Sequence, residues 1–535
     1  MDLFNRLLTY YQITEQEYNK RVENCDLSTI LNPFQYMDNF QKSIDIIEKH
    51  IGLKNKIAVL GDYDVDGLTS ASIVVMALKE RGVEPGFYIP SRYIDGYGIN
   101  DNRVDDLFKA GYKLIITTDN GISAFDPIKK ARELGMDVVV VDHHTQQGTL
   151  LPEANAFVHH RVCHYGDIDI SAGFLALLVS FGLTKKYDDY SAALAGLAVI
   201  SDMMPMEGSN LTLVNHLLKV LKEGKYPQFN YLLCGSAKLS MDKRMITSNK
   251  ISFDIVSPLN GLGRMNIGLG NNNAVRFLIS KDADEISKYY NYIMGISKRK
   301  KERLKELRQI AIGSTDDIVD FRVIEKCEVG LIGALANNQM YSIKKPVIFF
   351  TKSPVDPNVL IGSGRSLPYI NFYDIMSKFS NLYLSFGGHR NALGLSIKAK
   401  DFVYLRECLV KELNLMRLEK PQEKYIYISK DEINFESLDI ISGFDPFGTN
   451  FAPPQFALYT VRKDLNVSQT GDHIYTKINR DSVITYFNYD KNIDRDFDQE
   501  LILGGELLFN EFKGFSSVHF NVNTIVDGQI DKIIE

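Results

Sequence analysis

The amino-acid sequence predicts an α/β protein with a parallel-sheet domain, a second α/β domain and a C-terminal β domain. Short β-branched strands alternate with helices of ten or more residues from about residue 55 to 145. These strands are apolar on both faces, which is typical of a parallel sheet that helices cover on both sides. Near the end of the chain, Val518, Phe520 and Val522 alternate with polar residues, which indicates a half-buried strand.

The composition is that of an ordinary globular protein without a membrane segment. The 535 residues are 45% apolar and 24% charged, and a chain of this length divides into roughly three or four domains. No apolar run reaches the length of about 18 residues that crosses a bilayer, and the start of the chain lacks a secretion-signal pattern. The five cysteines are far apart and form no CxxC pair, which argues against a disulfide framework or a zinc knuckle. We therefore expect a cytoplasmic protein.

The first domain is predicted from strands that are each followed by a helix. "KIAVLGDYD" precedes the helix "LTSASIVVMALKERG", "YKLIITTDNG" precedes the helix "FDPIKKARELG", and "MDVVVVDHH" closes the series. In parallel sheets of this kind, ligands bind beyond the carboxyl ends of the strands. The polar residues that stand out in this series all lie at that edge.

The remaining elements are a helical region to about residue 250, a basic helix to about 312, a mixed α/β region from about 320 to 415 and short strands from about 420. The basic helix contains "SKRKKERLKELR", Ser297 to Arg308, with seven basic and two acidic residues. Its spacing leaves two interpretations open, a solvated face with i,i+4 ion pairs or a cationic surface for nucleic acid. The net charge of −6 shows that the chain is not cationic over its whole surface, but a groove for nucleic acid needs only local positive charge.

Carboxylates and histidines follow the strands of the first domain. Asp62, Asp64 and Asp66 lie at i, i+2 and i+4 after the first strand, so their side chains converge at the strand end. The other candidates are Asp119 and Asp142 at two further strand ends, His143 and His144 directly after Asp142, and Asp202 after an apolar helix. Each Asp taken alone is better explained as a turn former or a helix N-cap. Three strand ends of one series that all carry Asp favour a common site instead.

Such a site requires cations or protons. Two unit charges about 4 Å apart repel by roughly 4 kcal/mol at an effective dielectric constant near 20, so half a dozen carboxylates would not stay ionised together. An oxygen-rich site with one or two imidazoles suits manganese or magnesium. We predict two ions that share a bridging carboxylate, lower the pKa of a water and hold a phosphoryl group for in-line attack.

Four motifs resemble those of the DHH phosphoesterase superfamily in their order and separation: "GDYDVDG", "TTDNGIS", "VVVDHH" and "AVISDMMPM". Within the superfamily, "PSRYIDGYGIN", "NGLGRMN", "GSGRS" and "FGGHRNALG" are similar to the RecJ exonuclease family and its DHH-associated domain. "FDPFGTNFAPPQFAL" and "FKGFSSVHFNVNTI" resemble the OB-like barrel that ends RecJ-like chains. The resemblance covers nearly the whole chain after about residue 50.

The resemblance implies a centre of two metal ions, Mn²⁺ (or Mg²⁺), in the first domain. The implied ligands are Asp64, Asp66, Asp119, His143 and Asp202, with Asp119 as the bridge. Asp62 and Asp142 would hold these ligands in place. His144 would face the scissile phosphate and stabilise it or protonate the leaving oxygen.

The resemblance also implies a binding site for DNA. The candidates are Arg92, Asn260 and Arg264 for the strand, and Ser363, Arg365, Ser366, Gly387, Gly388 and His389 for the 5′-terminal phosphate. Tyr97 would stack on a base. Without the resemblance, Gly387 and Gly388 predict a turn, and His389 is better explained as a core histidine.

Four residues depart from the family pattern. Leu60 stands where many members have a ligating histidine, which predicts a slightly different metal shell. Pro258 replaces an expected arginine, and Glu328 and Asn338 replace a histidine and an arginine of the usual "HxGVxGxxAxR" stretch. These three changes weaken the expected grip on DNA further from the cut.

The implied domains are an N-terminal helical extension at 1–50, the DHH catalytic domain at 51–275, a connecting basic helix at 276–312, the DHH-associated domain at 313–418 and an OB-like domain at 419–535. The implied activity is metal-dependent hydrolysis of single-stranded DNA from the 5′ end to mononucleotides, in DNA repair and recombination. The expected partners are single-stranded DNA and a single-strand-binding protein or a helicase, with the chain a monomer. The alternatives are a DHH phosphodiesterase for cyclic dinucleotides or short oligoribonucleotides, and a non-catalytic replication scaffold.

Overall fold

The computed structural model describes residues 1–96, 98–146, 150–166, 168–265, 269–313, 317–416, 424–468, 471–487, 489, 491–512, 515–526 and 533–535. The chain forms two compact units. The first comprises Met1–Tyr88, Gly98–Val256 and Glu423–Glu535, and the second comprises Ile89–Tyr97 and Ser257–Gln422. The predicted α/β class is confirmed, and the five-domain division stays a prediction.

The first unit is built on a parallel sheet, as its apolar strands predict. Its strands are β1 (Lys56–Leu60), β2 (Gly86–Tyr88), β3 (Tyr112–Thr118), β4 (Asp137–Val141) and β5 (Ala156–Val158). They lie in the order β2-β1-β3-β4-β5, and all the neighbouring pairs are parallel. β1, β3 and β4 are almost wholly buried because both faces of the sheet are covered.

Helices pack on both faces of this sheet. The helices of this part of the chain are α1 (Leu3–Tyr11), α2 (Glu15–Glu23), α3 (Pro33–Tyr36), α4 (Phe40–Gly52), α5 (Val65–Glu80), α6 (Asp101–Lys109), α7 (Phe125–Glu133), α8 (Ala172–Thr184), α9 (Asp189–Ser201), α10 (Gly208–Glu223), α11 (Pro227–Cys234) and α12 (Ser248–Ile251). Those that contact the sheet are α4 to α8, whereas α1 packs against the C-terminal strands. Val104 of α6 and Ile128 of α7 pack in one core with Ala58, Ile115 and Val140. The helices α4, α5 and α8 contact the sheet strands as well and bury the opposite side chains.

The second unit contains a mixed sheet and a long helix. Its helices are α13 (Ser257–Met265), α14 (Asn272–Ile279), α15 (Ala283–Ala311), α16 (Val329–Ile343), α17 (Phe372–Ser377) and α18 (Phe402–Leu415). Its strands are β6 (Asp320–Val323), β7 (Val347–Lys352), β8 (Val359–Arg365), β9 (Tyr383–His389) and β10 (Ala392–Lys398), in the order β6-β7-β8-β10-β9. The basic helix of the sequence is the second half of α15.

The C-terminal part of the first unit contains a mixed sheet and the helix α19 (Phe435–Ser442). Its strands are β11 (Tyr425–Tyr427), β12 (Phe456–Val461), β13 (His473–Lys477), β14 (Ser482–Phe487), β15 (Glu500–Phe512), β16 (Phe515–Ile525) and β17 (Ile533–Ile534). Val518, Phe520 and Val522 of β16 point into the core, as their alternation predicts. The order runs linearly from β13 to β17 among the described strands, so closure into an OB-like barrel is not confirmed.

Across the described residues, no helix combines the length and the apolar character that a bilayer crossing requires.

Candidate metal centre and anion site

The carboxyl ends of β1, β3 and β4 lie at one edge of the first sheet. The strand β1 has β2 on one side and β3 on the other, so the winding of the chain reverses between β1 and β3. At such a switch point the neighbouring connections leave toward opposite faces and open a crevice. The three groups of predicted residues follow β1, β3 and β4 directly, at 62–66, 119 and 142–144.

The turn after β1 places its aspartates in different surroundings. Asp62 and Asp66 are 2% and 1% exposed. Asp64 is the N-cap of α5, and its Oδ1 accepts a hydrogen bond from the Gly67 N–H at 3.1 Å. The N-cap explanation therefore holds for Asp64, which takes part in the candidate site as well. A Cβ atom at Gly67 would lie 2.5 Å from the Asp62 backbone, so this turn requires glycine.

The N-terminus of α8 orients Asp66. The Ala172 N–H donates to Oδ2 at 2.8 Å, and the Gly173 N–H donates to Oδ1 at 2.6 Å. Ser171 caps the helix by accepting a hydrogen bond from the Phe174 N–H at 3.2 Å. Because a helix N-terminus favours negative charge, α8 stabilises the carboxylate form of Asp66 and fixes its direction.

His143 lies among three of the predicted carboxylate ligands. Its Nε2 is 3.3 Å from Oδ1 of Asp119, and it is 3.5 Å from Oδ2 of both Asp66 and Asp202. This nitrogen is buried and has no hydrogen-bond partner in the described part of the chain. Burial and the charge of His144 lower the pKa of His143 to about 3, so its imidazole is neutral at pH 7. A neutral imidazole nitrogen and three carboxylates that face one another are arranged as the ligands of one cation would be.

The donor atoms form three overlapping groups in which all the atoms lie within 4.8 Å of one another. The groups are Asp66, His143 and Asp202; Asp119, His143 and His144; and Asp62, Asp64 and Asp119. Asp119 and His143 each belong to two of them, and of these two Asp119 suits a bridging ligand because a carboxylate has two oxygens and a neutral imidazole has one free lone pair. The third group makes Asp62 a candidate ligand, whereas the motif predicts only a supporting role for it.

Burial and mutual repulsion act against the ionised carboxylates. Burial, then the charge of Asp64, raises the pKa of Asp66 to about 7, although the α8 N–H groups oppose this shift. Burial and neighbouring aspartates likewise raise the pKa of Asp119 and of Asp202 well above its usual range. Bound protons or divalent cations would relieve this repulsion. Carboxylate oxygens with a neutral imidazole are a donor set that fits Mn²⁺ or Mg²⁺.

Asp142 orients His144 rather than joining these groups. Its Oδ1 accepts hydrogen bonds from the His143 N–H and from Nδ1 of His144, both at 2.8 Å, and its Oδ2 accepts one from the Ile122 N–H at 2.9 Å. Burial lowers the pKa of His144, but the hydrogen bond and charge of Asp142 outweigh it and raise that pKa to about 9. His144 is therefore an imidazolium at neutral pH, with Nδ1 toward Asp142 and Nε2 on the opposite side of the ring.

The metal-free protein should lose stability as the pH rises from about 6.5 to 8.5. A raised carboxyl pKa means that the folded state binds the proton more tightly, so this stabilisation is full below about pH 3.9 and is lost as the pH passes about 7. His143 titrates with the opposite sign, but only below its unfolded pKa of about 6.5. Thermal unfolding in EDTA should show Tm falling by a few degrees across this range.

Mn²⁺ should reverse that loss. At a free concentration of 100 times Kd, the ion should stabilise the fold by about 2.7 kcal/mol, and the gain in Tm should be larger at pH 8 than at pH 6.5. A Tm in EDTA that stays constant or rises from pH 6.5 to 8.5 would contradict the raised pKa values.

Replacing Gly67 with Ala should disturb the candidate centre. The new Cβ atom would lie 2.5 Å from backbone atoms of Asp62, so the turn must shift, at a cost of about 1–3 kcal/mol. Gly295 in α15 provides the matched control, because no atom lies within 4 Å of a Cβ atom there and G295A should stabilise the helix by about 0.5–1 kcal/mol. Urea unfolding in EDTA measures both changes, and a neutral G67A variant would show that the close approach is not required.

The second unit contains a cluster of arginines around Arg365, at the end of β8. Nη1 of Arg365 donates to Oγ of Ser363 at 2.8 Å and to the Gly364 carbonyl at 2.7 Å. Burial and the positive charges of Arg264 and Arg92 lower the pKa of Arg365 to about 10. Partly buried guanidinium groups that repel one another are costly unless an anion joins them, so the structure brings three predicted phosphate-binding residues together in a suitable anion site.

The helix α16 approaches these arginines through two glycines of its first turns. A Cβ atom at Gly333 would lie 2.8 Å from Nη2 of Arg365, and one at Gly330 would lie 2.2 Å from the Arg264 carbonyl oxygen. Tyr93 donates a hydrogen bond to the same carbonyl at 2.6 Å. Because a helix N-terminus carries partial positive charge, α16 adds to the positive potential of the cluster.

The other predicted binding residues have varied surroundings. The Ser366 hydroxyl is buried, donates to the Ile370 carbonyl at 3.1 Å and accepts from Asn391 at 3.2 Å, so it closes the turn after β8. Gly387 and Gly388 lie within β9 and pair with β10 instead of forming a turn. His389 ends β9 and is exposed, so it is not a core histidine. Asn260 is half-buried in α13, and Tyr97 lies outside the described residues.

The residues that depart from the family pattern are accommodated locally. Leu60 is buried at the end of β1, and Pro258 is buried in α13. Glu328 accepts a hydrogen bond from Nε of Arg303 at 2.9 Å, so one cation of the basic helix is neutralised. Asn338 is half-buried in α16.

Two residues support the candidate centre that no motif predicted. The buried Asn120 donates from Nδ2 to the carbonyls of Leu60 at 3.1 Å and Thr118 at 2.9 Å, which ties the ends of β1 and β3 together. His159 lies with Nε2 2.9 Å from the His144 carbonyl oxygen, while its Nδ1 accepts a hydrogen bond from the Arg161 N–H at 3.1 Å. Side-chain bonds to the backbone leave no pattern in the sequence. The only sequence features that could have pointed to these two residues are the Asn directly after Asp119 and the histidine pair directly after β5.

Comparison with known proteins places these features in context. Residues 56–201 match the family described as "DHH family, N-terminal domain". The "Single-stranded-DNA-specific exonuclease RecJ" of Bacillus subtilis is 27% identical over 433 residues, which are 78% of this chain and 53% of that protein. The chain thus spans about half the length of this relative. The protein of the same name from Haemophilus influenzae is 24% identical over 544 residues, 93% of this chain and 92% of the relative.

A solved structure has a similar fold. It is the crystal structure of RecJ from Thermus thermophilus in complex with Mn²⁺, with a TM-score of 0.79 and 19% sequence identity. The match covers 99% of this chain and 78% of the other. At this level of identity the likeness establishes the fold alone.

Proposed function

We propose that this chain, a RecJ-like member of the DHH phosphoesterase superfamily, is a metal-dependent exonuclease that hydrolyses single-stranded DNA from the 5′ end to mononucleotides. One observation carries the proposal. The neutral, buried Nε2 of His143 lies 3.3–3.5 Å from oxygens of Asp119, Asp66 and Asp202, which come from different parts of the chain. This arrangement supports metal-assisted hydrolysis of a phosphodiester on the matched DHH domain.

The residues of the candidate centre would hold two divalent ions, manganese or magnesium. The proposed ligands are Asp64, Asp66, Asp119, His143 and Asp202, with Asp62 as a further candidate from the geometry. Bound ions would supply positive charge to the scissile phosphate and lower the pKa of a water. Asp119 would bridge them because it is the carboxylate that belongs to two of the three donor groups, and its two oxygens can each bind an ion. The N–H groups of α8 hold Asp66 in its ligating direction.

His144 is the proposed proton donor. Asp142 fixes its Nδ1 by a hydrogen bond of 2.8 Å and keeps the ring charged at neutral pH, since the pKa of His144 is raised to about 9 despite burial. The proton on Nε2 can then be donated to the leaving oxygen, or its charge can stabilise the phosphate. His159 supports this position through the His144 carbonyl.

The arginine cluster is the proposed site for the 5′-terminal phosphate. Arg365 is held by Ser363 and by the Gly364 carbonyl, so its planar guanidinium is already oriented for bidentate binding. Arg264 and Arg92 would share the strand phosphates. The exposed cations of α15 (Lys298, Arg299, Lys301 and Lys305) would contact the DNA backbone further along. His389 and Tyr97 keep their predicted roles as proposals.

The wider setting is also a proposal. We infer a monomeric, cytoplasmic enzyme of DNA repair and recombination that acts on strands exposed by a helicase or bound by a single-strand-binding protein. The aromatic side chains Tyr475 and Phe487 on the C-terminal sheet are exposed, 46% and 61%, and would give the bases a stacking surface.

The product of the reaction tests the proposal. The assay uses long single strands labelled at the 5′ or at the 3′ end. The enzyme should release labelled mononucleotide at once from the 5′-labelled strand and not from the 3′-labelled strand. This release should require Mn²⁺ or Mg²⁺ and stop in EDTA. Cyclic dinucleotides and dinucleotides serve as the comparison substrates. Turnover of these alone would favour a small-substrate phosphodiesterase, and absence of cleavage despite metal binding would favour a scaffold.

A further inference from the structure

Asp202 differs from the other proposed ligands in how little holds its carboxylate. Asp66 accepts two backbone N–H groups, and Asp64 accepts the Gly67 N–H at 3.1 Å. The Asp202 side chain is 31% exposed, and no hydrogen bond to its carboxylate occurs among the described residues. Its Oδ2 lies 3.5 Å from Nε2 of His143. The backbone around Asp202 must therefore set the position of this carboxylate.

The backbone that follows Asp202 has an unfavourable conformation. Asp202 is the C-cap of α9, and Met203 has a φ of 53°, the left-handed region that side chains other than glycine rarely adopt. Met203 is 74% exposed, so its own side chain adds little packing to hold this turn. A left-handed residue in an exposed turn persists when neighbouring groups fix it.

Part of that fixation is local, because the Met204 N–H donates to the Val199 carbonyl at 3.0 Å, and a turn of the C-terminal sheet domain adds to it. Thr449 Oγ1 donates to the Met203 carbonyl at 2.7 Å, and the Thr449 carbonyl accepts the Met206 N–H at 2.9 Å. Pro205 and Thr449 form a parallel bridge between the two segments. Thr449 thus holds the loop 203–206 on both sides of Pro205. This loop begins one residue after Asp202, the proposed ligand.

The turn around Thr449 is itself anchored. Gly448 and Phe451 exchange two backbone hydrogen bonds, of 2.8 and 3.1 Å. Arg21 donates to the carbonyls of Met206 at 2.9 Å and Pro446 at 2.6 Å, and its guanidinium lies 3.6 Å from the centre of the Phe451 ring. All of these residues belong to the first unit. A rigid turn can hold its neighbour, whereas a mobile one could not.

From these contacts we propose that Thr449 is a positioning residue of the metal centre, which places the Asp202 carboxylate through the Met203 carbonyl. The inference rests on the proposed function, because it assumes that Asp202 binds a divalent ion. The C-terminal domain then contributes to metal binding although every proposed ligand lies before residue 203. A function of that domain beyond DNA contact follows: it completes the geometry of the centre.

Mn²⁺ titration of the metal-free protein tests the proposal, with free Mn²⁺ followed by electron paramagnetic resonance. Thr449→Val keeps the shape and removes the hydroxyl, so the Kd of the Asp202-dependent site should rise about 3- to 10-fold. Thr449→Ser keeps the hydroxyl and should restore the affinity to within about twofold. The matched control is Thr460→Val in β12, because the buried Thr460 Oγ1 has no hydrogen-bond partner among the described residues.

A double-mutant cycle separates positioning from general stability. In the Asp202→Asn background, Thr449→Val should cause no further loss of Mn²⁺ affinity, because both changes act on one ligand. Additive losses, an unchanged Kd in T449V, or equal losses in T449V and T460V would each overturn the role of Thr449. Failure of the unmodified chain to bind Mn²⁺ would instead overturn the proposed function, and the inference with it.

Discussion

Replacing Asp119 with Asn is expected to lower exonuclease turnover about a thousandfold or more. Asp119 is 2% exposed and belongs to two of the candidate ligand groups, so a neutral amide there removes the proposed bridge between the ions. Such a change removes several kcal/mol of charge stabilisation, and 1.36 kcal/mol corresponds to about a factor of ten in rate. Asn suits this site better than Ala because Asp119 has a φ of 63°, which Asn tolerates. Release of labelled mononucleotide measures the effect.

The same variant should keep its fold and its affinity for DNA. The substitution removes a carboxyl whose pKa is raised well above its usual range by burial and repulsion, so Tm in EDTA at pH 8 should increase. DNA affinity should persist because the proposed phosphate ligands are arginines of the second unit. Asp126→Asn, at an exposed position in the first turn of α7, is the control and should leave turnover unchanged. Loss of both DNA binding and the folded state in D119N would indicate a structural role.

Replacing Arg365 with Gln is expected to abolish a preference for a 5′-terminal phosphate. Hydrogen bonds to a charged group contribute about 1.5–3 kcal/mol, so kcat/KM for 5′-phosphorylated strands should fall about 10- to 150-fold. Strands with a 5′-hydroxyl should be affected far less, because they lack the group that the guanidinium binds. The measurement compares both substrates on both variants. Arg365→Lys should recover only part of the preference, since an ammonium cannot bind two oxygens in a plane.

The control for this comparison is Arg276→Gln, at an exposed position of α14 in the same unit. It changes the net charge equally and should leave the ratio of the two kcat/KM values unaltered. If R365Q keeps its fold and loses kcat/KM equally on phosphorylated and hydroxyl ends, Arg365 binds a phosphate within the strand and not the 5′-terminal phosphate.

The residues that face the candidate metal centre could be predicted from the sequence where the strand topology determines their position. Asp64, Asp66, Asp119 and His143 follow strands of a parallel sheet, and such strands end at one edge. Asp202 ends a helix, so its place beside His143 depended on how α9 packs; the motif resemblance pointed to it, and periodicity did not. The second-unit arginines were likewise found by motif, because their meeting depends on loops far apart in the chain.

The supporting contacts lay beyond sequence reasoning. The N–H groups that hold Asp66 belong to α8, more than a hundred residues away along the chain, and any helix N-terminus could supply them. The hydrogen bond from Thr449 to Met203 joins residues 246 positions apart. Backbone donors and acceptors are present at every residue, so no residue type marks those that will be used.

By itself, the sequence determined the class of fold, the parallel sheet and the set of carboxylates and histidines available at its edge, because strand periodicity and side-chain chemistry are local properties. The tertiary structure alone decided which of these groups face one another, which helix orients Asp66 and which turn holds the loop after Asp202. Those choices depend on packing between segments that are distant in the chain, and local pattern does not encode such distances.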